Sequence, residues 1–591
     1  MNLRKHWPAL WPHLIVIAAV LFITRQWWNP YLLAGHSGFM DLYRQVILHD
    51  AIKHGDWWPR FAEPFYFGHG SLLFNFYAPF SYYLSEIFMW LGFSVAPAIK
   101  LSWATGLLLS GMFMVLLARE LFGSWAAAGA GALYVLAPYH LVDTLVRHAF
   151  GEGLAFTWLP LIFWGVLGAV RDRSAWRMTA GALGFALLML THNITAMISA
   201  PAIGFWWLFL VIKHRGEGWR GPILGAAAMA GGLLFSAFFW IPALMETDLI
   251  WSKESLIGEY FKYWNHFVYL PQFFSFKWGF GGSYPGVDRD GMSFQLGWAH
   301  WILLAGSIAA FSSRKEWRAH IAFFAALTLG SLMMCHFVSW PIWKLAKLLS
   351  FVQFPWRFLV LVTFAASVAA GATVEWLRHS DLKKWSYLLA FCALLLPFAF
   401  YGPYATSRHM LHNPEGRKMY PSFYAGEFEK QLKSNHFRRL ELIATPEFIR
   451  TKHSITATAR DDFLPKTVDR RKLPQEAPSE DVTVTNGLVL TVKKTAAVHY
   501  FAQIAMDQAG TAILHRFWYP GWTAYVDGKK QATAPQGEMG LVGVTLGEGP
   551  HEVRFTFEST PLRKYSGAIS LGSGILLILF LGFELMRRKK T

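Results

Sequence analysis

GHSGFMDLYRQVILHDAIKHGDWWPRFAEPFYFGHGSLLFNFY, from Gly35 to Tyr77, is the first polar stretch after a membrane-length apolar run, and its placement decides the fold. If the run from Leu10 to Trp28 crosses a bilayer, Asp41 emerges just outside it. From Leu42 onward, Tyr43, Val46, Ile47, Ala51 and Ile52 recur at helical spacing opposite Arg44, Gln45, His49 and Lys53. That pattern predicts an amphipathic helix lying in the interface and ended by Gly55. Asp41 then has two readings, a helix cap or a carboxylate placed for chemistry.

The chain has 591 residues, of which 54% are hydrophobic, 17% aromatic and only 15% charged, the balance of an integral membrane protein. A formal charge of +17 could indicate a nucleic-acid binder. Here, however, Lys and Arg lie in short clusters between apolar runs, the pattern of cytoplasmic loops, and nucleic acid is excluded as a partner. Cys335 and Cys392 both fall within apolar runs, which supports neither a disulfide framework nor a cysteine metal site. The N-terminus has the basic-then-apolar order of a signal peptide without a small-residue cleavage site, so an uncleaved anchor is expected.

The clusters Arg4-Lys5, RDRSAWR (Arg171 to Arg177), KHRGEGWR (Lys213 to Arg220), RKEWR (Arg314 to Arg318), RHSDLKK (Arg378 to Lys384) and RRKK (Arg587 to Lys590) should all be cytoplasmic, so an even number of crossings separates any two. Three apolar segments lie between Arg4 and Arg119, one too many. The middle one, LLFNFYAPFSYYLSEIFMWL from Leu72 to Leu91, carries Asn75, Pro79, Glu86 and several serines and tyrosines. It is therefore placed outside, in a long first outer loop at 29–96. The remaining spans are expected near 10–28, 97–118, 124–140, 154–170, 178–192, 194–212, 221–243, 295–312, 319–337, 355–377, 385–402 and 565–586, about twelve in all, with both termini cytoplasmic.

This arrangement divides the chain into a transmembrane domain (1–402), an outer domain (403–564) and a last helix with a basic tail (565–591). The segments Tyr139 to Gly153, Glu246 to Phe294, Val338 to Phe354 and Gly402 to Lys564 share the outer side with Asp41. In the last, VTVTNGLVLTV alternates around a turn, TAYVDGKKQAT carries a hairpin signal at Asp527-Gly528, and HEVRFTFEST alternates again. A β-sandwich over about 481–561 is expected; 404–480 shows no assignable periodicity.

YHLVDTLVRHAFGEG brings Asp143, Arg147, His148 and Glu152 to a membrane edge within about three helical turns, where ionisable groups are costly unless paired or useful. Arg147 and Asp143, at i,i+4, can form a structural ion pair. Alternatively Arg147 faces an anionic headgroup while Glu152 or Asp143 supports a metal or an acceptor hydroxyl. In LLSFVQFPWRFLV, Arg357 opens a span, where a guanidinium can snorkel to any lipid phosphate or grip the phosphate of a specific lipid-linked substrate. The 29 tryptophans suit interface anchoring, and aromatic faces also stack on sugars. None of the 22 histidines forms an H-x-H or H-E-x-x-H pair, and His192 is expected to make a hydrogen bond at a span end. Walker loops, dinucleotide fingerprints and G-x-S-x-G elbows are absent.

Asp41, HGDWWPRF, FGHGSLLFNFYAPFSYYL, APYHLVDTLVRHAFGE, LMLTHNITA, SAFFWIPALME, MSFQLGWAH, FVQFPWRFL and WYPGWTAYVDGK together resemble bacterial membrane proteins called 6-pyruvoyl-tetrahydropterin-synthase-related, over nearly the whole chain. The small zinc enzyme that lends the name has a histidine site that nothing in this sequence supplies. The membrane family is similar to GT-C glycosyltransferases, which take a sugar from a polyprenyl-phosphate carrier on the outer face. The resemblance implies a GT-C-like polytopic α-helical fold with a β-sandwich-containing outer domain, seated in the cytoplasmic (inner) membrane. It further implies an inverting transfer to an envelope glycan, lipid or protein. In that transfer Asp41 is the catalytic base, Glu152 or Asp143 matches a second acidic position, and Asp143 is also a candidate substrate-binding residue. Arg147, His148 and Arg357 then bind the phosphate-bearing substrate. Metal-dependent members carry an Asp-x-Asp or Glu-x-Asp pair that the first outer loop lacks, Asp50 and Asp56 being too far along, so a divalent cation is an open expectation. The alternative is a non-enzymatic envelope-assembly or lipid-translocating protein. A transporter would be expected to show paired repeats.

Overall fold

The computed structural model describes residues 3–29, 32–33, 35–252, 259–380, 385–407, 445–446, 449–450, 463–474 and 476–590. Helices stand at every position that the apolar runs predict. Among the described residues eight are long and apolar enough to cross a membrane: Trp7–Thr24, Val95–Leu121, Phe150–Arg171, Asn193–Lys213, Arg318–Cys335, Pro355–Arg378, Ser386–Tyr404 and Pro561–Glu584. Arg220–Phe235 and Ala237–Met245 make a ninth if taken together, bent by 64°. Ser124–Leu136 and Ala175–Thr191 are apolar but shorter, and Trp298–Ser313 has 16 residues. The expected total of about twelve thus exceeds the helices of membrane length.

Pro355–Arg378 is the axis of the bundle, its apolar window 100% buried. Small residues let its neighbours close on it. A Cβ on Gly371 would meet the carbonyl oxygen of Ala126 at 2.8 Å, and one on Gly129 would meet Val374 at 2.7 Å, an approach typical of helix packing in lipid.

Helix α1 (Leu3–Thr24) opens the chain, and the first outer loop after it departs from expectation. Its helix α2 (Gly38–Lys53) forms but does not lie amphipathically in an interface, because Arg44 and Gln45 are buried along with Leu42, Tyr43, Val46 and Ile47. The polar face is covered by a second helix, Phe80–Trp90. Periodicity gave α2 two faces, and it is this neighbour that decides what the polar one meets. Nor is Asp41 the cap. Ser37 holds that position, and the Asp41 amide donates to the Ser37 carbonyl at 3.1 Å.

The covering helix is inside-out relative to a helix facing water: Ser81, Tyr82, Ser85 and Glu86 are buried, whereas Ile87, Trp90 and Leu91 are exposed. At 11 residues it is about 16 Å long, too short to span hydrocarbon.

From Val482 to Phe557 the chain forms two antiparallel sheets. One contains β1 (Val482–Val484), β4 (Gly510–Phe517), β8 (Leu541–Leu546) and β7 (Ala534–Gln536), in the order β1-β4-β8-β7; the other runs β2-β3-β9-β5-β6, with β2 Gly487–Ala496, β3 His499–Met506, β9 Gly549–Phe557, β5 Trp522–Val526 and β6 Lys529–Ala532. Asp527 and Gly528, with φ of 50° and 79°, make the β5–β6 turn that Asp-Gly predicts. Side chains from both sheets share one core, which Phe61, Leu72 and Phe76 of the first outer loop enter. The stretch at 404–480 lies largely outside the described residues.

Two buried ionic clusters fix these sheets to the loop and the last helix. Arg516 Nη2 binds Glu63 Oε1 and Asp481 Oδ1, both at 2.7 Å, while Lys494 reaches Glu63 at 3.2 Å and Arg450 reaches Asp481 at 2.6 Å. Elsewhere Glu246 accepts from Arg563 Nη2 at 3.0 Å and from Asn75 at 2.7 Å, and Asn75 in turn accepts from Arg60 at 2.8 Å.

Candidate active site

α2 starts against the turn of chain that carries the second polar motif. His36 and Ser37 donate their amides to the carbonyls of Val146 and Arg147 at 3.1 and 3.2 Å. The approach depends on Gly35, where a Cβ would meet His148 Cβ at 2.5 Å. Residues Val142–Arg147 wind as a π-helix, a form concentrated at functional sites, and His148 ends it in a left-handed conformation at φ 51°.

Asp41 consequently faces His148. It is 1% exposed, and its Oδ1 accepts a 2.7 Å hydrogen bond from the Tyr82 hydroxyl with Arg44 Nη1 at 3.5 Å. Arg44 also donates to Tyr82 at 3.2 Å. Among the described residues Asp41 Oδ2 has no hydrogen-bond partner; it lies 3.5 Å from His148 Nδ1, and neither ring nitrogen of that histidine has a partner among them. Buried polar atoms are seldom left so.

The same seam continues along α2, whose next two turns place Gln45 Nε2 and His49 Nδ1 at 3.1 and 2.7 Å from Glu86. Neither Tyr82 nor Glu86 is among the site residues that the sequence singles out. Their signal was the polar content of a segment too apolar for a loop and too polar for a lipid-facing span.

The second motif forms a ladder. Arg147 donates Nη1 to Asp143 Oδ1 and Nη2 to Glu152 Oε2, the latter at 2.9 Å, and Arg357 Nε reaches the same Glu152 oxygen at 3.2 Å. Tyr139 donates to Glu152 Oε1 at 2.7 Å. Arg357 Nη1 is held by the Val352 carbonyl and the Gln353 amide oxygen at 2.8 and 3.0 Å, and Trp356 lies under Arg147, 4.4 Å from guanidinium carbon to ring centroid. The i,i+4 pair of Asp143 and Arg147 thus exists within a larger network. Arg357 does not snorkel outward but turns in to Glu152, and is 9% exposed.

The structure brings Asp143, Arg147, Glu152 and Arg357 into one hydrogen-bonded cluster and Asp41 and His148 into another. His148, next in sequence to Arg147, and the α2 backbone bonds join the two. His192 caps Asn193–Lys213, its Nδ1 2.7 Å from the Thr195 hydroxyl, as its place at a span end predicted.

Among the described residues no group of three or more His, Cys, Asp or Glu side chains is arranged to hold a metal ion. Among the described residues the donors at Asp41 are one carboxylate, one imidazole and the Tyr82 hydroxyl beside a guanidinium, too few and too positive a set to fit a divalent cation.

The model of the 6-pyruvoyl-tetrahydropterin synthase related domain, described as a membrane protein, matches residues 74–402, more than half of the chain. The chain belongs to this family. The matched region contains the Arg147 ladder and Arg357; Asp41 and the β-sheets lie outside it. An uncharacterized protein of Lactococcus lactis subsp. cremoris is 23% identical over 275 residues, 45% of this chain and 44% of that protein, so the chain spans less than half of that relative's length. Similar solved structures include the apo oligosaccharyltransferase of Archaeoglobus fulgidus, 14% identical with a TM-score of 0.44 over 71% of this chain and 60% of that one. The arabinofuranosyltransferase AftD from mycobacteria is 13% identical, with a TM-score of 0.44 over 69% and 27%. ArnT from Cupriavidus metallidurans bound to undecaprenyl phosphate is 15% identical, with a TM-score of 0.38 over 66% and 63%.

Proposed function

We propose that the protein is a glycosyltransferase of the cytoplasmic membrane, with both termini cytoplasmic, that moves a sugar from a polyprenyl-phosphate carrier to an envelope acceptor on the outer face. The observation that carries this reading is Asp41 Oδ2, a buried carboxylate oxygen without a hydrogen-bond partner on a side chain whose other oxygen is held by Tyr82 and Arg44. Those partners occupy Oδ1, leaving Oδ2 as the carboxylate atom with lone pairs to offer an incoming proton. In the transfer the acceptor oxygen bonds to the anomeric carbon as the carbon–phosphate oxygen bond breaks with inversion. The acceptor proton passes to Asp41, and the bond electrons leave with the polyprenyl phosphate. Arg147 and Arg357 stabilise that departing charge, while Glu152 and Asp143 hold the two guanidiniums in place. Since the donor set at Asp41 does not fit a divalent cation, the step is assigned to side chains alone.

One observation favours the second reading, a lipid-holding protein without catalysis: Asp41 is 1% exposed, so an acceptor reaches it only after the cover on α2 shifts. The two readings separate in one experiment. Lipid-linked sugar is supplied to reconstituted protein, and transfer and lipid binding are measured for Asp41→Asn and Arg357→Ala. Transfer lost in Asp41→Asn with lipid binding retained supports the enzyme. Biological activity that survives Asp41→Asn but fails in Arg357→Ala overturns it in favour of the lipid-holding protein.

A further inference from the structure

The outer segment that follows the bent helix pair contains a cavity of about 310 Å³, lined by Gln272, Lys277, Asp288, Asp290, Ser293 and Phe294 among others. That volume is at the lower end of small-ligand sites. Gln272 and Asp290 are both buried and set rigidly. The Gln272 amide donates to Asp290 Oδ2 at 2.6 Å, the Tyr284 backbone amide donates to Oδ1 at 2.7 Å, and the Tyr269 amide donates to Gln272 Oε1 at 2.7 Å. Asp290 also accepts from Ser283, and the lone pairs that remain on its carboxylate and on Gln272 Oε1 give the wall fixed acceptors. Lys277, beside the Asp288 carbonyl at 3.3 Å, supplies donors.

Two carboxylates against one ammonium disfavour a phosphate here. A neutral ligand bearing several hydroxyls, each able to donate and accept, matches the wall. Phe294 adds an apolar side, and its ring lies 5.8 Å from that of Trp356, the ring beneath Arg147. The cavity therefore stands two aromatic rings away from the guanidinium ladder.

We propose that this cavity binds a sugar residue of the acceptor, which makes the acceptor a carbohydrate. The proposal rests on the transferase reading above and deepens it. Gln272, Asp288 and Asp290 hold the hydroxyls, and Phe294 meets a face of the ring.

The test is saturation-transfer NMR on the full chain in nanodiscs, with methyl α-D-mannopyranoside and methyl β-D-glucopyranoside as probes and inorganic phosphate as competitor. Val287 and Asp288 are exposed at the rim, so Val287→Trp, which fills the cavity, and Asp288→Asn leave the core untouched. Loss of a hydrogen bond to a charged group corresponds to at least about tenfold weaker binding. That loss is expected in both variants, with phosphate without effect and Asp41→Asn binding as the wild type does. No saturation transfer in the wild type, equal transfer in all variants, or displacement by phosphate overturns the proposal. Sugar binding is read without turnover, so the two readings fail separately. A protein that transfers sugar but does not bind the probes loses this cavity's role; one that binds them but never transfers loses the transferase reading.

Discussion

Two buried ionic clusters, one around Arg516 and one around Asp41, have similar parts and opposite states of completion. Around Arg516 every buried side-chain polar atom of Glu63, Asp481 and Tyr500 is bonded, with the guanidinium 0% exposed. Around Asp41 a carboxylate oxygen and both nitrogens of a histidine are left unbonded. Burial of charge is costly in either place. In the first the cost is offset by closure, and the gain is a fixed attachment between the β-sheets and the first outer loop. In the second it is not offset locally, and residual free energy of that kind belongs where an incoming group will use it. Burial of charge alone therefore does not mark a site, nor does one unbonded atom, since Arg563 Nη1 in the Glu246 cluster is unbonded too; what distinguishes Asp41 is that unbonded atoms of a carboxylate and a histidine face each other at 3.5 Å.

The contrast can be broken from either side, most strongly by Asp41→Asn. Sugar transfer should fall by about a thousandfold, while the thermal midpoint of the purified protein stays near that of the wild type. A large loss of stability with little loss of transfer would make Asp41 a structural residue like Glu63. Glu63→Gln should do the reverse. It leaves Arg516 short of one buried charge partner and costs about 3–5 kcal/mol, seen as earlier proteolysis of the β-sheets, with transfer per folded molecule preserved. A smaller effect is expected for Tyr82→Phe. One hydrogen bond to Asp41, worth about 1 kcal/mol, is removed, and transfer should drop by about fivefold with lipid binding unchanged.

The smallest effect should come from mild acid. Burial alone would raise the Glu63 carboxyl, but Arg516, Lys494 and Arg450 overcome it and hold the group below its ordinary value. The same balance, through Arg516 and Arg450, lowers Asp481. A carboxylate depressed by folding contributes stability above its unfolded value of about 4 and loses it only as pH falls through the lower folded value. Protection of the β-sheets in hydrogen exchange should therefore be unchanged between about pH 7 and 5. Loss of protection in that window would show the cluster to be less closed than its geometry.

Much of this fold is legible in the sequence because the signals are local. Charge clusters and apolar runs give the helices, and Asp527-Gly528 gives a hairpin. The ladder from Asp143 to Glu152 is legible for the same reason, all three residues lying on one short segment. What escapes is whatever depends on a partner distant in the chain. Nothing in the periodicity of α2 says that Arg44 and Gln45 will be covered, because Tyr82 and Glu86 lie some forty residues on. Arg357 reads as a snorkelling residue until Glu152, 205 residues away, turns it inward. Helix length is the other blind spot. Apolar runs announce Ser124–Leu136 and Ala175–Thr191 as spans, and the helices they form have 13 and 17 residues, below and at the lower bound of about 17 for crossing hydrocarbon.

The inside-out helix Phe80–Trp90 carries a practical consequence. One face holds the hydroxyl that orients Asp41, and the other presents Ile87 and Trp90 to the surroundings. Whatever solvates that outer face becomes a reagent at the carboxylate. The choice of lipid or detergent is therefore a variable to hold fixed when the chemistry at Asp41 is measured.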